Sequence, residues 1–489
     1  MTVDVSHLPR TGTTVPGVAW TSPEDVDAAV RAAIAATGDV ARAHPRERTA
    51  WIESMAAAVE SNAEELVDIA DEETALGRER LSGELSRGAV NMRYYAAVGE
   101  RGEWLAVRHQ VLPGPPPVDL RRANLPVGPV AVFGASNFPF QFGVLGHDTC
   151  SAIAAGCPVV VKAHPAHPRL SARLIELARA ALRASGAPDG LLSLVVGFDA
   201  GLALVDASGI QAVGFTGSQQ AGMALVERAS RRERPIPVYA EMGTVNPVLV
   251  TPRAADRVPS IAEEFVQAVN LGGGQFCTKP GLLLVPSGAD GPRLVGEQMR
   301  RSAGVWLLTQ GIAASYGDGI RAMESDRAVI AAEGEDLPEG YGVRPTVLTA
   351  DLESLVPGSR LLEECFGPVA IVAEYDDVSA ALDVLASLQP SLAGSAYGDA
   401  ESDPDLERAV AILSAQTGRV VVNGSPNGVA CVDAIHHGGP WPATSNPATT
   451  SVGAAALGRF TRPVAFQNVP EAALPPALRA SDPWGVQGG

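Results

Sequence analysis

Cys277 stands in a run, Leu271-Gly-Gly-Gly-Gln-Phe-Cys-Thr-Lys-Pro-Gly281, that suits a reactive thiol better than a packed one. Three glycines ahead of it let the backbone close around a reacting group, and Pro280 with Gly281 turns the chain away; a thiolate held in this manner can attack a carbonyl. An isolated cysteine is more often a small buried hydrophobe, so its company decides. Asn137, in Ser136-Asn-Phe-Pro-Phe140, offers a side-chain amide to a developing negative oxygen, against the plainer role of a turn residue ahead of Pro139. Glu241, in Glu241-Met-Gly243, ends an apolar run. A solvated strand-end carboxylate is the competing reading, and Met242 and Gly243 offer it little polar company.

These residues need elements that bring them together. From Pro129 onward, short apolar runs (130–133, 159–162, 192–196, 212–215, 237–240) alternate with helical stretches such as 169–184 and 218–229. This alternation predicts a parallel sheet with helices on both faces, an α/β fold whose ligands bind at the carboxyl ends of the strands. Asn137, Lys162, the Gly214-Phe-Thr-Gly-Ser218 turn and Glu241 all fall at such ends. A second α/β block is expected from about residue 247 to 434, with strands at 248–250, 370–374 and 419–423 and a helix near 260–270. Ahead of both, the first hundred residues read as an all-helical lead-in, with Ser22 as N-cap and Pro23 at the first helical position of its first helix. The proline cluster Pro113-Gly-Pro-Pro-Pro117 breaks that pattern, and 111–127 reads as an extended arm or hairpin that leaves the body. The tail from His436 to Thr450 is a Gly, Pro and Ser-rich loop, followed by a strand at 462–468.

At 489 residues the chain is too long for one core. Its net charge of −18 argues against nucleic acid or an anionic membrane as partner. Five cysteines without metal-like CxxC spacing argue against a zinc site or a disulfide framework, and a reducing cytoplasmic location is expected. No apolar run reaches membrane-spanning length, and the first residues lack the pattern of a signal peptide.

Six segments in order, Ser136-Asn-Phe-Pro-Phe140, Val160-Val-Lys162, Gly214-Phe-Thr-Gly-Ser218, Glu241-Met-Gly243, Gly274-Gln-Phe-Cys277 and Glu364-Cys-Phe-Gly-Pro368, resemble the motif set of the aldehyde dehydrogenase superfamily. The resemblance spans about residues 15 to 470. It implies oxidation of an aldehyde to an acid through a thiohemiacetal and a thioester, with Cys277 as nucleophile, Asn137 as an oxyanion donor and Glu241 as the base that activates water. One oxyanion donor is worth about 3–4 kcal/mol. It also implies a cofactor-binding domain over 1–110 and 124–245, a catalytic domain over 246–440, and an oligomerisation arm and tail over 111–123 and 455–489. The arm and the terminal strand are expected to pair across a subunit boundary, giving a homodimer or homotetramer. A non-catalytic protein on the same fold is the rival from another class; the joint presence of Cys277, Glu241 and Asn137 speaks against it.

The cofactor implied is NADP, with NAD as alternative. By resemblance Lys162 bonds the adenosine ribose, Gly217 and Ser218 open a helix facing the pyrophosphate, Glu364 holds the nicotinamide ribose and Phe366 packs near the ring. Relatives that prefer NAD commonly carry a glutamate where this chain has Pro165, so repulsion of a 2′-phosphate is removed. His164, with His167 and Arg169, is placed to contact that phosphate. The tail, His436-His-Gly-Gly-Pro-Trp-Pro-Ala-Thr444 with Thr450-Ser-Val-Gly453 and Arg459 to Asn468, is similar to the branch that oxidises α-ketoglutaric semialdehyde, and a related branch takes fatty aldehydes. The acidic substrate needs a cation at its far end. Arg87 is the residue nominated on the helix 83–98, with Gln141, Phe142 and Trp441 around the same tunnel; a solvated helix arginine is the other reading of Arg87.

Overall fold

A computed structural model of the chain describes residues 3–486. Ser22 caps the first helix as its sequence predicts, accepting from the Asp25 amide, and the helix runs Pro23–Arg42. Three more follow, Pro45–Ser61, Ala63–Thr74 and Arg78–Arg101. Their apolar faces share one core with the sheet beyond them. The lead-in is not wholly helical, however. Val3–Leu8 and Thr13–Ala19 form an antiparallel ribbon ahead of it, held in place by packing against later helices. Pro16 and Gly17 interrupt the alternation that would have marked the second strand in sequence.

The first sheet has five parallel strands in the order Leu192–Val195, Val159–Lys162, Val130–Phe133, Ala212–Gly217, Val238–Met242. The order reverses direction beside Val130–Phe133, and a crevice at such a point receives ligands. The second sheet has seven strands, Val329–Glu333, Thr346–Thr349, Val369–Tyr375, Leu282–Pro286, Pro247–Val250, Ser391–Tyr397 and Thr417–Val422 in spatial order. All neighbours are parallel except the Val329–Glu333 edge. Each sheet is buried on both faces, which is why its strands read as unbroken apolar runs.

The proline-rich arm is a hairpin of Arg108–Leu112 and Val118–Pro126. Contrary to expectation, it pairs with Thr461–Gln467 within the same chain, in register from Thr461 with Pro126 to Gln467 with Leu120. The short helical segment Ala454–Phe460 sits on the first core, and the Phe460 carbonyl accepts from Val127 N at 3.0 Å, so the terminal strand starts already alongside the arm. Among the described residues, no helix is long and apolar enough to cross a membrane.

Candidate active site

The glycine run ahead of Cys277 folds as a tight turn, Leu271–Gly274, with Gly272, Gly273 and Gly274 all at positive φ. Gly274 has no room for a side chain: a Cβ there would enter the backbone of Gly367. Buried Asn246 fixes the next stretch of chain, around Cys277 itself. Its amide donates to the carbonyls of Cys277 at 2.8 Å and Lys279 at 3.0 Å, while its oxygen accepts from Ala393 N at 3.1 Å, locking the cysteine loop to the second sheet. Asn137 comes from the other sheet and its Nδ2 donates to the Gln275 carbonyl at 2.7 Å. The expected oxyanion donor and the nucleophile loop are therefore in direct contact.

Glu241 is nearly sealed, at 2 % exposure. Its polar company comes from the tail, contrary to the reading of Met242 and Gly243 as leaving it isolated. His437 Nε2 lies 3.0 Å from Glu241 Oε1 and 3.6 Å from Cys277 Sγ, and the Ser451 hydroxyl donates to Glu241 Oε2. The tail loop is stitched onto the strand that carries Glu241: Met242 N donates to the Ala443 carbonyl, Ser445 N to that of Ala240, and the Ser445 hydroxyl accepts from Ala240 N. His437 is held by its own amide, which donates to Thr450 Oγ1 at 2.8 Å. Burial alone would push the Glu241 carboxyl up; the His437 ring, the Ser451 hydroxyl and Arg459 outweigh it and hold the group below its ordinary value. Cys277 goes the other way. Burial first, then the carboxylates of Glu241 and Glu364, push its thiol well above its ordinary value.

At the crevice end of the first sheet, Gly217 and the N-cap Ser218 are exposed at the start of helix Gln219–Ser230. The neighbouring helix, Pro168–Ala184, is closed to anions. Buried Glu73 accepts from its first amides, Arg169 N at 3.0 Å and Leu170 N at 2.9 Å. Lys162 lies against Gly201, and its ammonium makes no hydrogen bond among the described residues. The Glu364 carboxylate packs on the bare Cα of Gly243, where a Cβ would displace it. Phe366 is half-buried in the same loop.

The aldehyde dehydrogenase family model matches residues 3–293 and 308–441. The chain belongs to the aldehyde dehydrogenase family. It is 42% identical over 463 residues to α-ketoglutaric semialdehyde dehydrogenase 2 of Azospirillum brasilense, covering 92% of this chain and 88% of that one. Identity is 37% over 470 residues to the α-ketoglutaric semialdehyde dehydrogenase of Acinetobacter baylyi, covering 94% and 89%. In fold it is similar to the NAD-bound 1-pyrroline-5-carboxylate dehydrogenase of Thermus, at a TM-score of 0.83 and 23% identity over 96% of this chain and 90% of that one. Aldehyde dehydrogenases use NAD(P), and this chain fits that cofactor. The open helix start at Ser218 suits a pyrophosphate, and the Lys162 ammonium makes no hydrogen bond among the described residues.

Within this aldehyde dehydrogenase the nominated phosphate contacts are mostly occupied. His167 is buried, with both ring nitrogens bonded, to Ala135 O and Ser171 Oγ, and Arg169 pairs with Glu72 at 2.8 Å. His164 accepts from Ala166 N and is kept neutral, its pKa lowered foremost by burial. Pro165 is exposed. On the substrate side, the Phe142 ring lies tilted against His147 with centroids 4.6 Å apart and approaches His437 at 6.1 Å; Gln141 accepts from Asn91; Trp441 and Arg87 are exposed.

The largest omission of the sequence reading is His437, quoted only within a tail motif. Arg80 is another. Its guanidinium lies 5.1 Å from the Phe138 ring and 5.3 Å from the Phe276 ring, and donates to the Asn137 carbonyl at 2.7 Å, clamping the Asn137 and Cys277 loops together. Arg80 falls ahead of the helix expected over 83–98, whereas the structure starts that helix at Arg78 and so puts Arg80 in its first turn.

Proposed function

We propose that this enzyme oxidises α-ketoglutaric semialdehyde to α-ketoglutarate and accepts NADP at least as well as NAD. The observation that carries the dehydrogenase chemistry is the convergence of Cys277 Sγ, His437 Nε2 and the Glu241 carboxylate within 4.8 Å of one another, beside Asn137. Support for the substrate comes from the two semialdehyde dehydrogenases that match over most of both chains, and support for NADP from the absence of a carboxylate at Pro165.

A thiol pushed up by burial needs a proton acceptor before it can attack. His437 Nε2 faces it, and once protonated that nitrogen has Glu241 Oε1 beside it to share the charge. Sulfur adds to the aldehyde carbon, and the oxygen that becomes negative is met by the second N–H of the Asn137 amide, whose first is spent on Gln275. The nicotinamide, when bound, supplies the two-electron acceptor. The chain must then free an acyl group from Cys277 with water, and Glu241, ionised and anchored by Ser451, takes the water's proton. The carboxylic acid departs and the thiol is restored.

Arg87 stands as the cation that reads the substrate's distal carboxylate. Its helix packs on the substrate side, with Gly88 against Phe140 and Asn91 bonded to Gln141. Assembly into a homodimer or homotetramer is proposed on two of the sheet edges, Arg108–Leu112, exposed along its length, and Thr417–Val422. The test of the substrate is an aldehyde panel run with NADP and with NAD, following absorbance of the reduced nicotinamide. The acidic semialdehyde should lead neutral aldehydes in kcat/KM, and Arg87→Ala should erase that lead by about tenfold while sparing propionaldehyde. An equal loss for both, or a lead for long neutral aldehydes, overturns the assignment.

A further inference from the structure

The same three side chains have the geometry of an open metal site. We infer that the resting active site reversibly binds one thiophilic divalent cation of the zinc class through Cys277 Sγ, His437 Nε2 and Glu241 Oε1, and is switched off while it is bound. The inference rests on the dehydrogenase reading only for the second half, the loss of activity.

Tetrahedral coordination, with bonds of about 2.3 Å to sulfur and about 2.0–2.1 Å to nitrogen or oxygen, sets sulfur about 3.6 Å from nitrogen and nitrogen about 3.3 Å from oxygen. Here Sγ lies 3.6 Å from Nε2, and Nε2 lies 3.0 Å from Oε1. The third side, at most 4.8 Å, shortens by rotation of the cysteine side chain. A second observation points to the same place. Among the described residues Glu241 Oε1 is buried without a well-directed hydrogen bond: the His437 ring nitrogen is close enough to lower the carboxyl but is not aligned with the oxygen. An enclosed carboxylate oxygen without a well-directed partner has given up water for little return, and a cation between the three atoms removes that cost.

Charge and surroundings agree. Thiolate and carboxylate together neutralise a divalent ion in a pocket that disfavours net charge, whereas the metal-free pocket holds an ionised Glu241 against a thiol. Ser451 occupies the other carboxylate oxygen, leaving Oε1 for the ion, and the His437 backbone is fixed by Thr450 and Ser451. Binding replaces the S–H bond with a metal–sulfur bond and releases that proton to solvent, so no oxidant or reductant is involved. Magnesium and calcium, which require six or more oxygen ligands, are excluded. The bound ion withdraws charge from the thiolate and occupies the side from which sulfur would meet an aldehyde, so attack is suppressed while it stays.

The test uses tag-free, chelator-treated full-length protein without cofactor or substrate. Equilibrium dialysis against Zn²⁺, with Co²⁺ as the coloured probe for a thiolate charge-transfer band, should find one ion per chain at micromolar concentrations. Cys277→Ala and His437→Gln should each weaken binding at least about tenfold, and Asn137→Ala, which disturbs catalysis without removing a ligand, should bind as the parent does. Metal-loaded enzyme should lose activity and regain it on chelation. Unaltered affinity in His437→Gln, a cobalt complex without the thiolate band, or no saturable binding below millimolar overturns the site. Full activity of the loaded enzyme overturns the switch. Failure of the dehydrogenase reading would appear instead in the aldehyde panel, which does not affect the dialysis.

Discussion

Two carboxylates near Cys277, Glu241 and Glu364, meet opposite fates. Both suffer burial, yet Glu241 is held below its ordinary value while Glu364 is pushed up to about 7. The difference is company. Glu241 has the His437 ring, the Ser451 hydroxyl and the charge of Arg459, which is itself anchored by Asp148 at 2.7 Å. Against its burial Glu364 has the opposing charge of Lys279, whose own ammonium is spent on the Val369 carbonyl at 2.6 Å. Desolvation raises any buried carboxyl, and the opposite charges and donors near it decide whether it stays charged. One carboxylate is thereby kept as a base, and the other is left able to hold a proton near neutrality.

Removing the nucleophile that Glu241 serves is the harshest test of this division. Cys277→Ala should lower steady-state production of reduced cofactor by about 10⁴-fold or more, since neither hemithioacetal nor thioester can form. Substantial remaining turnover would show that sulfur is not the attacking atom. Next in size is Glu241→Gln, which keeps shape and removes the base. It should give a rapid burst of about one reduced nicotinamide per site and then turn over at least about a hundredfold more slowly, because the thioester waits for water. A slow first turnover without a burst would instead make Glu241 a partner in activating the thiol.

Much of this site was legible in sequence because local chemistry announced it. The glycine run ahead of Cys277, the strand-end position of Glu241 and the Ser218 cap are local signals, and the strands around them are apolar on both faces. What stayed hidden depends on contacts between distant parts of the chain. His437 lies 160 positions from Cys277, in a loop whose shape comes from pairing with the Glu241 strand. Nothing local marks it as a partner. The arm and the terminal strand are legible as strands, but which edge each pairs with depends on where Phe460 enters the first core. Arg80 and Arg87 share one helix, and their different surroundings are set by loops that helical spacing does not describe.

Lys162 extends the comparison to a cation. Burial pushes its ammonium down to about 8, with Asp4 opposing, so it loses charge as pH rises through about 8, or somewhat higher once a phosphate is close. If that charge helps to hold a 2′-phosphate, KM for NADP should climb above this pH faster than KM for NAD. Pro165→Glu, which adds a carboxylate on the exposed turn after Lys162, should cost NADP several-fold more than NAD. A preference of the parent enzyme for NAD by more than about tenfold, or ~1.4 kcal/mol, would contradict the NADP reading.

The smallest effect expected concerns stability, and it isolates Glu364. A carboxyl raised from an ordinary 4.5 to about 7 in the folded protein binds more proton there than in the unfolded chain throughout that interval. Its contribution to stability is therefore complete below about 4.5 and is lost as pH rises toward and through about 7. Glu241 has the reverse sign: its contribution is present above 4.5 and is lost only as pH falls through its depressed folded value. Glutamine at position 364 keeps the side chain and has nothing to ionise. Measured without cofactor, the Tm of Glu364→Gln relative to the parent should therefore rise by about 1–2 °C between pH 5.5 and pH 8. Titrating groups that do not face position 364 change both proteins alike and cancel in the difference, and the one opposing charge that faces it, Lys279, is part of what the difference reads. A relative Tm that is flat across this range, or falls, would mean that Lys279 keeps Glu364 ionised, and the contrast with Glu241 would then be one of position rather than of charge.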